Sequence, residues 1–337
     1  MIPTSTVPDV LTRAREAVTP ALASALDRLS VDLRQLTTYH LGWTDLDGRP
    51  AVDGGGKGIR PALAILSAEA ARADGEVGVP GAVAVELIHN FSLIHDDVID
   101  GDRTRRHRPT VWAVAGVGQA IVVGDALATL AHQVLLDVPE GGPAARCLAD
   151  ATAAMIAGQA DDITFESRHN ISLVQCMAMT AGKTGALLGC AASIGAVLAG
   201  ASPLTITALR DYGTNLGIAF QAVDDLLGIW GDPERTGKPA GNDLRQRKKT
   251  LPIVAALGAG NEDAQELHGL LAEGPLNDEQ IARATWLVEV CDARSWTANR
   301  AKTHLDRALQ ALERVRMNPM THRELTELAA FVVERES

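Results

Sequence analysis

The chain has 337 residues, 46% apolar and 22% charged, with a net charge of −11. It is long enough to bury a sizeable core and too acidic to favour nonspecific nucleic-acid binding. The four cysteines, Cys147, Cys176, Cys190 and Cys291, have no paired short spacing, which suggests neither a disulfide framework nor a zinc site and reads as buried reduced thiols. MIPTSTVPDVLTRAREAV shows no basic segment followed by an apolar one, and no uninterrupted apolar run approaches the ~18 residues of a membrane span. The expectation is a soluble cytoplasmic protein without a transmembrane segment.

Aromatics are only 3%, and Ala and Leu dominate the apolar set, which favours helix over sheet. In chain order, residues 1–8 are expected to be flexible. Residues 9–41 carry helical apolar spacing (Val10, Leu11, Ala14, Val18, Leu22, Leu29), with a break or kink expected at Pro20. DLDGRPAVDGGGKGIRP reads as a loop leading into a helix from Ala62 to Ala73, and a GEVGVPG break precedes a helix over 82–100. Residues 111–136 are apolar and punctuated by Gly. Helices are expected over 144–166, 172–199, 204–230, 250–258, 277–292 and 296–314, with NEDAQELHGLLAEGPLND read as a separator. No period-two stretch argues for sheet, and no linker or repeat marks a second domain. The fold class expected is all-α, as one domain over residues 1–337.

Chemistry concentrates in LIHDDVIDGDRTRRHRPT (93–110). On a helix, Asp96 and Asp100 share a face with Asp97 beside them, and three like charges there call for a neutralising partner. Hard divalent cations such as Mg²⁺ take oxygen ligands and keep waters and phosphates in their shell. A solvated acidic helix end is the plainer reading, against which stand the apolar neighbours Phe91, Leu93, Ile94, Val98 and Ile99. A second pair, Asp224 and Asp225 in LGIAFQAVDDLLGIWGDP, sits at the end of another apolar helix. Two such helices could face one another across a cavity and hold metals over a diphosphate. Lys57, Arg60, Arg105, Arg106, Lys183, Lys238 and Lys248 are then the available phosphate ligands, although Lys248 and Lys249 also read as surface charges. A polar rim on an apolar interior implies a ligand with a diphosphate head and a hydrocarbon tail.

The ordered blocks GGKGIRP (55–61), ELIHNFSLIHDDVIDGDRTRRHRPT (86–110), VVGDALAT (122–129), GQADDI (158–163), KTG (183–185), LGIAFQAVDDLLGIWGD (216–232) and NDLRQRKKTLP (242–252) resemble the trans-type isoprenyl diphosphate synthases, or polyprenyl synthetases. That resemblance implies an isoprenoid-synthase helical bundle around a deep apolar cavity, usually a homodimer. It implies head-to-tail condensation of an allylic diphosphate with isopentenyl diphosphate, aided by Mg²⁺, three ions per active site. By the same likeness Asp96, Asp97 and Asp100 bind metal from one side and Asp224 with Asp225 from the other. Arg105, Lys183 and Lys238 would hold the allylic diphosphate, approached by Lys248. Lys57, Arg60, His89 and Arg106 would hold isopentenyl diphosphate, and Thr184, Phe220 and Gln221 would line the reacting centre. On this reading acids and arginines both address the diphosphates and need not pair with each other, and His95 is second to the acids or a packing residue.

Three departures from the family pattern stand out. Gly228 replaces the last Asp of a DDxxD motif, and Asp232, two helical turns from Asp224, is a poor substitute. Gly58 stands where Arg is frequent, and His107 and Arg247 stand where Gly is common. The ruler of product length is expected one turn before the acids, at Phe91 with Ser92 beside it. An aromatic there, with no insertion inside DDVID, resembles synthases of the geranylgeranyl type, with farnesyl diphosphate the second reading. A class I terpene cyclase and a regulatory subunit of a heteromeric synthase are the further alternatives.

Overall fold

A computed structural model describes residues 9–51, 56, 58–168, 170–232, 239–272 and 274–333. The expectations for residues 1–8, Lys57 and Lys238 therefore lie outside the described residues. The described elements are α1 (Asp9–Leu26), α2 (Val31–His40), α3 (Ile59–Ala70), a 3-10 turn (Gly75–Gly78), α4 (Val79–Ile99), β1 (Thr104–Arg105), β2 (Arg108–Pro109), α5 (Val111–Ala115) and α6 (Val117–Leu136). There follow α7 (Gly141–Glu166), α8 (Leu173–Thr180), a π-helical turn (Ala181–Gly185), α9 (Ala186–Leu198) and α10 (Pro203–Trp230). The last are α11 (Asn242–Arg245), α12 (Leu251–Leu257), α13 (Glu262–Ala272), α14 (Asp278–Val290), α15 (Ala293–Leu312) and α16 (Pro319–Val333). The class is all-α, as expected. The only ladder among the described residues is the antiparallel β1–β2 hairpin, too short to leave a period-two signal in the sequence.

The contacts fall into two compact units, one of residues 1–152, 190–210 and 315–325, the other of 153–189, 211–314 and 326–337. In the first, α4 packs along α6 and against α3 and α1. Small residues let the helices approach closely. A Cβ on Gly195 would stand 2.6 Å from the Ser67 hydroxyl, which accepts from the Gly195 N–H at 2.9 Å and donates to the Ala64 carbonyl at 2.8 Å. The second unit is built on Ile229, Leu244, Ile253, Leu267, Leu287 and Val288, with a neighbouring cluster around Phe165, Met179, Val223 and Leu251.

Several boundaries differ from expectation for identifiable reasons. α1 runs through Pro20, whose position on the exposed face leaves the lost hydrogen bond to solvent. The break comes instead after Leu26, where the Arg28 and Leu29 N–H groups bond back to Ala25 and Leu26. The separator read around residue 266 is in fact α13, started by the Asn261 side chain accepting from the Ala264 N–H at 2.9 Å. α16 also went unread, although Leu325, Leu328, Ala329 and Val332 form its buried stripe.

Three helical stretches, Gly75–Ile99, Val117–Leu136 and Leu173–Leu198, are long and apolar enough on average to cross a membrane, although none is an uninterrupted apolar run. In the first and third most of the apolar window is buried inside the protein, which explains its composition. On Val117–Leu136 the residues Val117, Ile121, Val122 and Leu136 are exposed.

Candidate active site

In the first unit the site grows from the end of α4. An Asp74 cap on the 3-10 turn and Pro80 in the first turn start the helix, and Gly101 in the left-handed region stops it beside Asp100. Asp96 is half-buried, Asp100 is exposed, and both lie on one face. Asp97 points the other way and is buried. Its Oδ1 accepts from Arg105 Nε at 2.7 Å, while its Oδ2 is buried without a hydrogen-bond partner. Burial pushes the Asp97 carboxyl above its ordinary range and Arg105 pulls it back. The expectation that acids and arginines need not pair is thus corrected, because the hairpin folds Arg105 directly onto Asp97.

The hairpin is built to make that return. Tyr39 donates to the Pro109 carbonyl at 2.8 Å, and Arg108 stacks over the Tyr39 ring at 4.4 Å while donating to the Thr44 carbonyl. Its two turn residues, Arg106 and His107, have φ of 52° and 61°, as a type I′ turn requires. His107→Gly should therefore stabilise the protein by about 1 kcal/mol, because a left-handed backbone costs an L-residue roughly 1–2 kcal/mol and glycine's extra chain entropy takes part of that back. Urea denaturation measures it, and a lower midpoint for the variant would show that the imidazole holds a contact of its own.

Behind the hairpin, Arg60 Nη1 lies 3.3 Å from His89 Nε2. Arginine can only donate, so His89 accepts there and carries its proton on Nδ1. Burial first, then Arg60 and Arg106, hold the His89 pKa well below its ordinary value, so the ring is neutral. Gly56, at the end of the Gly-rich loop, lies against Arg106: a Cβ there would stand 3.2 Å from Nη2. Partial desolvation lowers the Arg106 pKa, opposed by the Glu86 carboxylate. His40, which the sequence did not single out, joins this group. Burial and the charges of Arg105 and Arg106 lower its pKa to about 3, and its Nε2 is buried without a partner. Only its place in the last turn of α2 hinted at it.

Phe91 lies one turn before His95, edge to face at 4.8 Å. His95 Nε2 is 3.1 Å from the Ile121 carbonyl and so donates to it. Gly124 supplies the room, since a Cβ there would overlap the His95 ring, which accounts for the glycine in VVGDALAT. Ser92 donates its hydroxyl to the His89 carbonyl at 2.9 Å.

In the second unit a relay of hydrogen bonds runs through α10. Thr184, in the π-helical turn, donates to Gln221 Oε1 at 2.8 Å, and Gln221 Nε2 donates to Asp225 Oδ1 at 2.8 Å. The Leu251 N–H donates to the other Asp225 oxygen at 2.9 Å. Burial pushes the Asp225 carboxyl up to about 8 against these two bonds, with Asp243 and Asp224 adding repulsion. Lys183 pairs with Asp162, an acid that sequence reading passed over inside GQADDI. Gly158 of that block meets the Lys183 backbone so closely that a side chain would not fit, and Gly217 meets Gly185 in the same way. Phe220, Asp224 and Lys248 lie on or beside this framework, Asp224 exposed and the other two half-buried.

Among the described residues no three His, Cys, Asp or Glu side chains gather into a ready-made metal cage. In the first unit Asp96 and Asp100 offer hard carboxylate oxygens on one face of α4, the donor type Mg²⁺ takes, and in the second unit the exposed Asp224 of α10 offers another of the same type. The residues present fit the ion.

The all-α scaffold is that of the isoprenoid-synthase fold seen in solved polyprenyl and geranylgeranyl pyrophosphate synthetases. The comparisons agree: the chain belongs to the polyprenyl synthetase family, whose model matches residues 48–288. It is 45% identical to a (2E,6E)-farnesyl diphosphate synthase of Mycobacterium tuberculosis over 97% of this chain and 93% of that one, and 41% identical to a geranylgeranyl diphosphate synthase of the same organism with the same coverage. A crystal structure of a polyprenyl synthetase from Streptomyces coelicolor superposes with a TM-score of 0.92 at 51% identity, covering 96% of this chain and 99% of that one. A geranylgeranyl pyrophosphate synthase from Corynebacterium glutamicum, solved with isoprenyl diphosphate and magnesium, superposes with a TM-score of 0.80 at 30% identity, covering 98% and 100%.

Proposed function

We propose that the protein is a Mg²⁺-dependent trans-prenyltransferase joining isopentenyl diphosphate head-to-tail to an allylic diphosphate, with geranylgeranyl diphosphate as the product. The observation that carries this is the arrangement at the end of α4. Asp96 and Asp100 are set on one face, with Arg105 anchored on Asp97 and Arg60, His89 and Arg106 grouped behind. Two diphosphates need two cationic cradles, and the arginines supply them: Arg105 for the allylic substrate, Arg60 and Arg106 with Lys57 for isopentenyl diphosphate.

Asp96 and Asp100 with Asp224 would hold the ions, three in each site, while Asp97, engaged by Arg105, and Asp225, engaged by Gln221 and the Leu251 N–H, would stand behind them rather than meet the metal. Mg²⁺ held by Asp96, Asp100 and Asp224 would supply charge neutralisation of the leaving diphosphate, easing ionisation of the allylic carbon–oxygen bond. Arg105, Lys183, Lys238 and Lys248 share the charge that collects on that diphosphate. Thr184, Phe220 and Gln221 shape the space about the allylic carbon, where water must be kept from the cation. Neutral His89 orients Arg60 without adding a charge of its own. The isopentenyl double bond attacks the cation, and the released diphosphate accepts the proton that is lost. Catalysis is electrostatic and orientational, with no side-chain base.

The twenty-carbon assignment rests on Phe91, whose ring is braced by His95 below the acids. Farnesyl diphosphate is the second reading, favoured by the 45% identical mycobacterial relative. Phe91→Ala should lengthen the product by at least one five-carbon unit, read by chromatography of the dephosphorylated alcohols. An unchanged length would remove Phe91 as the ruler. We further propose a cytoplasmic homodimer in which residues 1–337 act as one polyprenyl synthetase domain. The exposed apolar residues Val117, Ile121 and Val122 of α6 support the pairing of two copies.

A further inference from the structure

Gly228 removes the last carboxylate of the second acidic motif, but the volume it vacates is filled. Asp224 and Gly228 are four apart on α10 and share a face. An ideal Cβ built on Gly228 would collide with the Asp243 carboxyl, 2.5 Å from its Cγ and 2.9 Å from Oδ1, with Oδ2 nearer still. The carboxylate expected from α10 therefore arrives from α11. Its delivery is well fixed: Gly241 starts α11 in the left-handed region and donates its N–H to the Ile229 carbonyl at 3.1 Å. Leu244, next to Asp243, is fully buried, and the Lys248 N–H closes the following turn on the Asp243 carbonyl at 3.0 Å.

We propose that Asp243 supplies the metal-holding carboxylate that Gly228 lacks, so that Asp224 and Asp243 are the pair that meets Mg²⁺ while Asp225 positions them. Asp225 is committed elsewhere, both of its oxygens accepting from Gln221 and from the Leu251 N–H. A carboxylate standing at a glycine cannot coexist with a side chain there, so the Gly228 and Asp243 positions are alternatives for one donor.

The inference rests on the reading of the protein as a Mg²⁺-dependent prenyl synthase, and a direct binding measurement separates the two. Mn²⁺, titrated into the full chain with inorganic pyrophosphate present, is followed by the electron paramagnetic resonance of the uncomplexed ion. Asp243→Asn, close in shape, should lose one Mn²⁺ or weaken it by roughly ten- to a hundredfold. Gly228→Asp alone should not tighten binding, because the new side chain meets Asp243, whereas Gly228→Asp with Asp243→Gly should restore wild-type stoichiometry. Wild-type binding by Asp243→Asn, or failure of the swap in a protein that melts like the parent, overturns the role of Asp243 alone. No Mn²⁺ bound by the wild-type protein overturns the metal reading itself and this inference with it.

Discussion

Asp96→Asn lowers turnover by on the order of 10²–10³-fold while leaving the fold as stable as the parent or slightly more so. The size follows from removing one preorganised charge from a site where leaving-group charge is neutralised. The stability follows from the like charges at the end of α4. Asp96 and Asp100 share a face with Asp97 behind them, and an amide of the same shape relieves repulsion without opening a cavity. Steady-state kinetics beside thermal melting separate the two effects. Loss of both activity and melting temperature would make Asp96 a structural residue rather than a metal ligand.

Arg105→Gln behaves differently because Arg105 has two tasks. It holds Asp97, whose side chain is only 2% exposed, and it faces the allylic diphosphate in the proposed reaction. Removing it leaves a buried carboxylate unpaired, a loss of about 2–3 kcal/mol once the 31% exposure of Arg105 is allowed for. The KM for the allylic substrate should rise roughly ten- to a hundredfold, the worth of one or two charge-assisted hydrogen bonds. Asp97→Asn combined with Arg105→Gln should recover much of the stability and none of the substrate affinity. An allylic KM unchanged in the single variant would confine Arg105 to holding the hairpin.

Much of this was legible before the structure. Helical spacing with Gly and Pro punctuation located most of the long helices. Three sequence departures take on meaning only through the backbone. Gly58, His107 and Arg247 all have positive φ, at 70°, 61° and 53°, so left-handed turns persist whichever residue occupies them. Their side chains cannot report a dihedral angle, which is why the substitutions looked like changes of chemistry. The pairing of Asp97 with Arg105 was missed for a related reason. Eight residues separate them, and a two-residue hairpin too short to leave a pattern brings them together. Asp243 is the clearest case, since a carboxylate fifteen positions after a glycine gives no sign in the sequence of sharing its space.

The most direct test is the carbon count of the product made by the purified wild-type chain alone. The protein is incubated with Mg²⁺, isopentenyl diphosphate and, in separate reactions, dimethylallyl, geranyl or farnesyl diphosphate, and the dephosphorylated alcohols are resolved by chromatography. The expected result is a linear all-trans twenty-carbon alcohol from every primer, abolished by chelation of the metal. Accumulation at fifteen carbons would keep the chemistry and refute the ruler. Cyclic hydrocarbon, or no consumption of isopentenyl diphosphate with any primer, would contradict the proposed reaction itself.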